Sequence, residues 1–473
     1  MTELGGLDTG IIFGYFVLLI VIGVYASRRQ DSVEDYFIGG GRIGTFSIAC
    51  LWVASWVGGA AIVGGTATAF EVGVSAGWYT MSMSIGCVLF GLFFAKEVKR
   101  ASVEEQMLTY PDFIEARYDS RTRIVATITT IVAFIAFAAG QLAAAAAILQ
   151  TLLGWDYSTA LVLASGIIVV YTATGGLLAV TYTDWIQLTL LFVGVVFIGI
   201  PVAVSEGGTM ATFSERLPES FFDPGGWGWP TILALAVSIP LSFFVAMDSF
   251  TRTFSAKSEN AARNGVLIAA AFLVPLAIGS VWLGMTSAVL YPDAESAGIL
   301  STFILQEFPT GLKGLVLVGV LAALMSTADI CILTASANIT VDIYQRYVKP
   351  DVPPKELFRL SMVASLVIGT LAALMAWRMQ DVIDILLVAF TVNSAGLFIP
   401  TVAMVYMTAV DKAAAFWSIT LALIVVLTLY IGSFVSELDI FSTDPLWPGL
   451  TVSVVVFFGL NRKGAAAKSA AAS

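Results

Sequence analysis

The sequence predicts an all-α, polytopic membrane protein, and three observations predict it. Of its 473 residues 58% are hydrophobic and only 12% are charged, whereas a soluble chain of this size needs far more charge to cover its surface. Apolar runs of the roughly 20 residues that cross a bilayer as helix recur from end to end. Lysine and arginine gather in alternate loops, and the mean hydropathy is +0.91.

Thirteen transmembrane helices are expected, at about 8–27, 44–72, 76–98, 122–153, 157–174, 180–204, 231–252, 264–292, 313–345, 360–379, 380–409, 413–432 and 445–461. The first reads as a span and not a cleavable signal, because its leader MTELGGLDTG is acidic and Arg28 and Arg29 follow the apolar core. With the N-terminus outside, 20 of the 23 Lys and Arg residues fall in inner segments, leaving Arg216, Lys313 and Arg378 outside. That sets the N-terminus outside and the C-terminus in the cytoplasm, in a multi-pass protein of the cell membrane. The formal charge of −10 comes largely from outer loops such as SEGGTMATFSERLPESFFD and SELDIFSTD, read as solvated surface. Cys50, Cys87 and Cys331 stand singly in apolar spans and read as small core residues. Histidine is absent, which excludes His-ligated haem or zinc and any histidine proton relay.

Two spans look broken. In the second, SWVGGAAIVGGTATAF sets Gly58, Gly59, Gly64 and Gly65 at mid-membrane. Glycine there invites unwinding, a reading preferred to close helix packing because two glycine pairs within so short a run exceed what packing needs. In the seventh, AVSIPLSFFVAMDSF carries Pro240, which removes a backbone bond and predicts a kink. Each broken span opens a block of five, the arrangement of an inverted repeat. The expected organisation is 1–43 as an extra helix and inner loop, 44–204 as the first five-helix repeat and 205–230 as an outer loop. The second repeat covers 231–409, and 410–473 holds two C-terminal helices and an inner tail.

Polar residues inside the spans are the candidates for function. Asp184 in TYTDWIQ reads either as a cap at the start of the sixth span or as a functional carboxylate. Asp248 precedes Arg252 by one turn, so an i,i+4 pair is the expected explanation, or else an inner gate contact. Trp56 at the glycine break is either an apolar wedge or a face for a solute. Gln141, alone in AFAAGQLAAAAAIL, either joins two helices or meets the solute. In the ninth span Ala323, Ser326, Thr327 and Ile330 share one helical face, so two hydroxyls and the carbonyl of Ala323 can converge on one point. Hydroxyls in such helices ordinarily bond back to their own carbonyls. An adjacent Ser-Thr pair facing an unwound helix also offers hard oxygen ligands suited to a small monovalent cation.

At these residues the chain, from about 8 to 461, resembles the sodium/solute symporter family, which includes proline, pantothenate, sialic acid, sugar and choline transporters. The resemblance rests on ASWVGGAAIVGGTATAFEVG, TYPDFIEARYDSRTR, TATGGLLAVTYTDWIQ, MDSFTRTFSAKS and AALMSTADICILTASANITVDIY, in that order. It implies a LeuT-like fold of two inverted five-helix repeats, with Na+ as the coupling ion. The implied sodium ligands are the carbonyls of Ala54, Val57 and Ala323 and the hydroxyls of Ser326 and Thr327. Asp184 matches an aspartate placed on the family's sodium route. The chain departs from the family at Ala328 and Asp329, where members with a second sodium carry further hydroxyls. Trp56, in ASW, stands where the choline transporter has the tryptophan of ATW, but that transporter's Pro-Trp reads Pro240-Leu241 here. The proline transporter's aspartate at the position of Trp56 is absent as well.

The expected function is sodium-coupled import of a small organic solute, an amino acid, organic acid or similar, by alternating access. The solute pocket is expected at the midplane among Trp56, Gln141, Phe243, Met247 and Asn393. A proton-coupled transporter of the same fold, an ion channel and a transporter-like sensor are the alternatives. An enzyme is not expected, because Asp184, Asp248 and Asp329 sit on different spans with no histidine or paired cysteine beside them. The expected partners are the small-molecule solute, sodium and the lipid bilayer, with no nucleic acid, in a monomer or loose oligomer.

Overall fold

The computed structural model describes residues 5–27, 43–104, 109–407, 409–435 and 443–472, with Leu438 and Ile440. Within these, side chains are described except at 16, 19–27, 59, 171, 173–187, 354, 434 and 462–472. The described residues are almost wholly helical and form no strand. Helix α1 covers Gly6–Ser27, and α2 (Thr45–Trp56) and α3 (Gly59–Val72) form the second expected span. Then come α4 (Trp78–Phe93), the short α5 (Ala95–Glu104) and α6 (Tyr110–Arg117), and the long α7 (Ser120–Leu153) and α8 (Tyr157–Phe192). A π-wound segment Val193–Gly199 leads into α9 (Ile200–Ser205), followed by α10 (Met210–Arg216), α11 (Trp229–Phe243), α12 (Met247–Ser255) and α13 (Glu259–Leu290). The chain ends with α14 (Ile299–Glu307), α15 (Leu312–Ala337) continued by π-wound Asn338–Val348, α16 (Pro354–Met379), α17 (Val382–Tyr406), α18 (Lys412–Val435) and α19 (Leu446–Ala472).

Among the described residues, eight helices are long and apolar enough to cross a membrane, or nine if the bent pair α11 and α12 counts as one span. This falls short of the thirteen expected, partly because a half-helix such as Thr45–Trp56 is too short to cross alone. The expected turn between 174 and 180 is not seen as a break, since backbone helix runs through from Tyr157 to Phe192.

Both expected breaks exist, with refinements. The second span breaks at Val57 and Gly58, where Val57 leaves helical geometry at φ −100°, ψ 71° and Gly58 is extended. Gly64 lies within α3, where an added Cβ would come within 2.9 Å of Ile383 Cδ1, so this glycine serves close packing. Unwinding and packing thus each claim part of the glycine run. In the seventh span, α11 continues past Pro240 to Phe243 and the two halves meet at 44°. The break comes one turn later than the proline itself.

Helix α15 with its continuation is the most enclosed of the long apolar helices, 94% of its most apolar stretch being buried, against 28% for Leu188–Ser205. It lies against α7 and α8. Lipid offers no hydrophobic force to join such helices, so small residues matter at their contacts. In α7 the buried run Ala143, Ala144, Ala145 and Ala146 lets neighbouring backbones approach closely. Asp8 of α1 is fully buried and accepts from the Gly311 and Gly314 N–H groups at 2.8 and 2.7 Å, tying the first helix to the start of α15.

Candidate functional site

The TYPDFIEARYDSRTR stretch folds into two capped helix starts. Thr109 and Asp112 form a reciprocal capping box on α6, and the Asp119 side chain accepts from Thr122 N at the start of α7. This geometry delivers Arg123, whose side chain is 3% exposed, to three carboxylates: Asp112 at 2.6 Å, Glu115 at 2.8 Å and Asp342 at 2.6 Å. Arg346 adds a contact to Glu115 at 2.6 Å. Burial works to raise the Glu115 carboxyl, but hydrogen bonds from Ser120 and Arg123, with the charges of Arg123 and Arg346, outweigh it and hold Glu115 below the usual carboxylate range. None of the polar residues singled out within the spans belongs to this cluster. The alternating charges of the motif are its one sequence signal.

The candidate ion site lies where α2 ends against α15. The Ser326 and Thr327 hydroxyls both donate to Ala323 O, at 3.1 and 2.9 Å, so the three groups do converge. Both side chains are buried, and each hydroxyl oxygen keeps lone pairs for a further partner. Opposite them, the last bond of the α2 ladder runs from Val57 N to Val53 O at 2.8 Å. Helix geometry leaves the final carbonyls of such a segment, those of Ala54 and Val57 included, without an intrahelical donor. Gly58 brings the two sides together: a Cβ there would lie 2.7 Å from both Thr327 Oγ1 and Gln141 Oε1. The break therefore touches the hydroxyl helix, and only a residue without a side chain fits between them.

Gln141 has a structural task as well, since its Oε1 accepts from Ala60 N at 3.3 Å, at the start of α3. Trp56 stacks on Phe243 with ring centroids 3.9 Å apart at 18°. Phe390 lies nearly parallel to Trp56 with centroids 6.1 Å apart. Trp56, Gln141, Thr327, Phe390, Asp248 and Cys331 line one cavity of about 20 Å³, room for about one water. Of the residues expected in the solute pocket, Trp56 and Gln141 line it and Phe243 backs Trp56. Met247 and Asn393 do not line it, although Asn393 Nδ2 donates to Ser242 Oγ at 3.4 Å and its Oδ1 is buried without a partner among the described residues.

The expected Asp248–Arg252 ion pair does not form. Among the described residues Asp248 makes no ion pair at contact distance: Arg252 Nε donates to Ser55 Oγ of the broken second span at 3.1 Å, and only the charge of Arg252 reaches the Asp248 carboxylate. Asp329 is buried and accepts from Thr172 Oγ1 of α8. The side chain of Asp184 lies outside the described residues. Asp248 as a cavity residue escapes a sequence reading because its spacing to Arg252 offers a sufficient explanation.

Residues of both interrupted spans and of the hydroxyl-bearing helix thus line one cavity, and residues 36–422 match the model of the sodium:solute symporter family. The chain belongs to that family. Its members are symporters, and the chain is accordingly a transporter and not an enzyme. The sodium/pantothenate symporter of Escherichia coli (strain K12) is 27% identical over 485 residues, covering 96% of each chain. The high-affinity proline transporter of Bacillus subtilis (strain 168) is 25% identical over 379 residues, 77% of this chain and 80% of that one. Among solved structures, a Na+-coupled sialic acid symporter in a substrate-bound outward-open state superposes with a TM-score of 0.76 at 22% identity, covering 96% of this chain and 98% of that one. A nucleobase-cation-symport-1 family transporter in a closed conformation gives a TM-score of 0.56 at 16% identity, covering 92% of this chain and 96% of that one. These two likenesses concern the fold.

Proposed function

We propose that this symporter binds Na+ at the carbonyls of Ala54, Val57 and Ala323 and the hydroxyls of Ser326 and Thr327, and imports a small organic solute held beside Trp56 and Gln141. The observation that supports this reading is the close approach of Gly58, at the break after α2, to Thr327 Oγ1, where an added Cβ would lie 2.7 Å away. All the donors are hard, neutral oxygens, a set that suits a monovalent ion better than a divalent or transition metal. Among the described residues no group of three or more Asp, Glu, Cys or His side chains could hold a metal ion, so the ion would rely on these oxygens.

Coupling follows from shared geometry. An ion on the end carbonyls of α2 would order the break, and the same break carries Trp56 and, through Ala60, Gln141. Each ligand then raises the affinity for the other. One sodium moving inward supplies roughly 2.3 kcal/mol per 100 mV of membrane potential. The proposed frame is thirteen spans, with blocks 44–204 and 231–409 as inverted repeats, the N-terminus outside, the C-terminus in the cytoplasm and Asp184 on the ion path. The long helix α8 with its continuation would then supply the fifth and sixth spans, its apolar ends being Tyr157–Val170 and Leu188–Ser205.

A sodium concentration jump on proteoliposomes tests the ion site without knowing the solute. The expected result is a transient charge displacement that potassium does not produce and that Thr327→Ala abolishes. A current of equal size in the variant would place the ion elsewhere.

A further inference from the structure

Among the described residues that line the cavity beside the proposed ion site, the one charged side chain is a carboxylate. Asp248 lines this cavity together with the faces of Trp56 and Phe390, the amide of Gln141 and the hydroxyl of Thr327, and among the described residues no lysine or arginine lines it. A carboxylate in the membrane interior is expensive and ordinarily meets a partner. The obvious partner, Arg252, is bonded to Ser55 Oγ and closes no contact ion pair with Asp248, although its charge still acts on the carboxylate. Asp248 stands in the first turn of α12, where a helix start favours negative charge. Serine or asparagine would cap that turn equally well without desolvating a charge. Capping therefore accounts for an oxygen at this position, and the helix start and the charge of Arg252 favour an acid there without closing a contact pair on it.

Resting on the proposed sodium and solute sites, we infer that the transported solute carries a positively charged nitrogen, recognised by the Asp248 carboxylate and the aromatic faces of Trp56 and Phe390. A cation over an indole or phenyl face is attracted by the ring quadrupole, more strongly when water is excluded. The carboxylate supplies the opposite charge that this desolvation requires. Trp56 Nε1 is buried and has no hydrogen-bond partner among the described residues, so a donor is also at hand for an acceptor group on the same solute. A small amine or a zwitterion satisfies all three features, whereas a solute with net negative charge would face the Asp248 carboxylate directly. Selection against anions then comes from repulsion as much as from a favourable fit.

The test is thermal unfolding of the purified full chain in sodium, alone and with size-matched probes: glycine betaine and L-proline as zwitterions, choline as a cation, lactate as an anion and inositol as a neutral polyol. The expected result is a further rise in melting temperature with one or more of the nitrogen cations or zwitterions and none with lactate or inositol. In Asp248→Asn that solute shift is lost, with apparent affinity at least tenfold weaker, while the shift given by sodium alone persists. The inference is overturned if lactate or inositol stabilises as well as the charged nitrogens, if no nitrogen probe stabilises, or if Asp248→Asn keeps the solute shift. Loss of the sodium shift itself in Asp248→Asn also overturns it, since the carboxylate would then serve the ion. If Asp248→Asn does not fold, the ranking of probes on the unaltered protein still decides. Absence of any sodium effect in the unaltered protein marks failure of the sodium site itself, a result distinct from the others.

Discussion

At the scale of single residues, the proposed ion site turns on the close approach of a glycine and a threonine. A methyl group at Gly58 would lie 2.7 Å from Thr327 Oγ1 and from Gln141 Oε1, closer than such atoms tolerate. Gly58→Ala is expected to force the break open and to weaken sodium binding at least tenfold, read as the sodium concentration that half-maximally raises the melting temperature. An unchanged midpoint would show that the break is not part of the site. Thr327→Ser keeps the hydroxyl and is expected to retain sodium binding, whereas Thr327→Val keeps the shape and is expected to lose it. Ser326 and Thr327 are legible in the sequence because oxygen in an apolar helix needs a reason, and helical periodicity alone puts them on one face with Ala323. Asp248 is not legible in this way. Its i,i+4 spacing to Arg252 is a sound local rule, overruled by a contact between Arg252 and Ser55 separated by 197 positions in the chain.

At the scale of elements, Arg123 joins α6 and α7 to the π-wound end of α15. Removing one partner from a buried ion cluster leaves the remaining charges unpaired, which costs about 3–5 kcal/mol. Arg123→Ala is accordingly expected to lower stability by about that amount in a chemical unfolding measurement; a loss below about 1 kcal/mol would mean that water already reaches the cluster. Glu115 adds a pH dependence whose sign is fixed. Its carboxyl is held below the ordinary range in the folded protein, so its contribution is complete above the unfolded value near about 4.3 and is lost as pH falls through the folded value. Glu115→Gln should therefore flatten the fall in melting temperature below about pH 4.3. The caps of this region stand in the sequence as Thr109-Tyr-Pro-Asp112 and Asp119-Ser-Arg-Thr122, yet Asp342 as the partner of Arg123 does not show there, because it lies 219 positions away. Likewise Pro240 marks the seventh span as bent, but the bend comes after Phe243, where the ladder ends and not where the proline interrupts it.

At the scale of the whole molecule, two interrupted helices meet at one place, and that place is small. A cavity of about 20 Å³ is far below the several hundred Å³ of an ordinary small-molecule site, so a solute held there as proposed would have to part the rings of Trp56, Phe243 and Phe390. A sodium ion that orders the break from one side and a solute that parts the rings from the other would bias the same element, which is what coupling by linkage needs. Coupling of this kind requires sodium at Ser326 and Thr327. Its most direct test is the melting temperature of the purified protein in sodium against equimolar potassium. At about 100 times the dissociation constant, sodium should add about 2.7 kcal/mol of stability, and the sodium-specific rise should vanish in Ser326→Ala and Thr327→Ala. Equal melting temperatures in the two salts, or a rise that both variants retain, would contradict it.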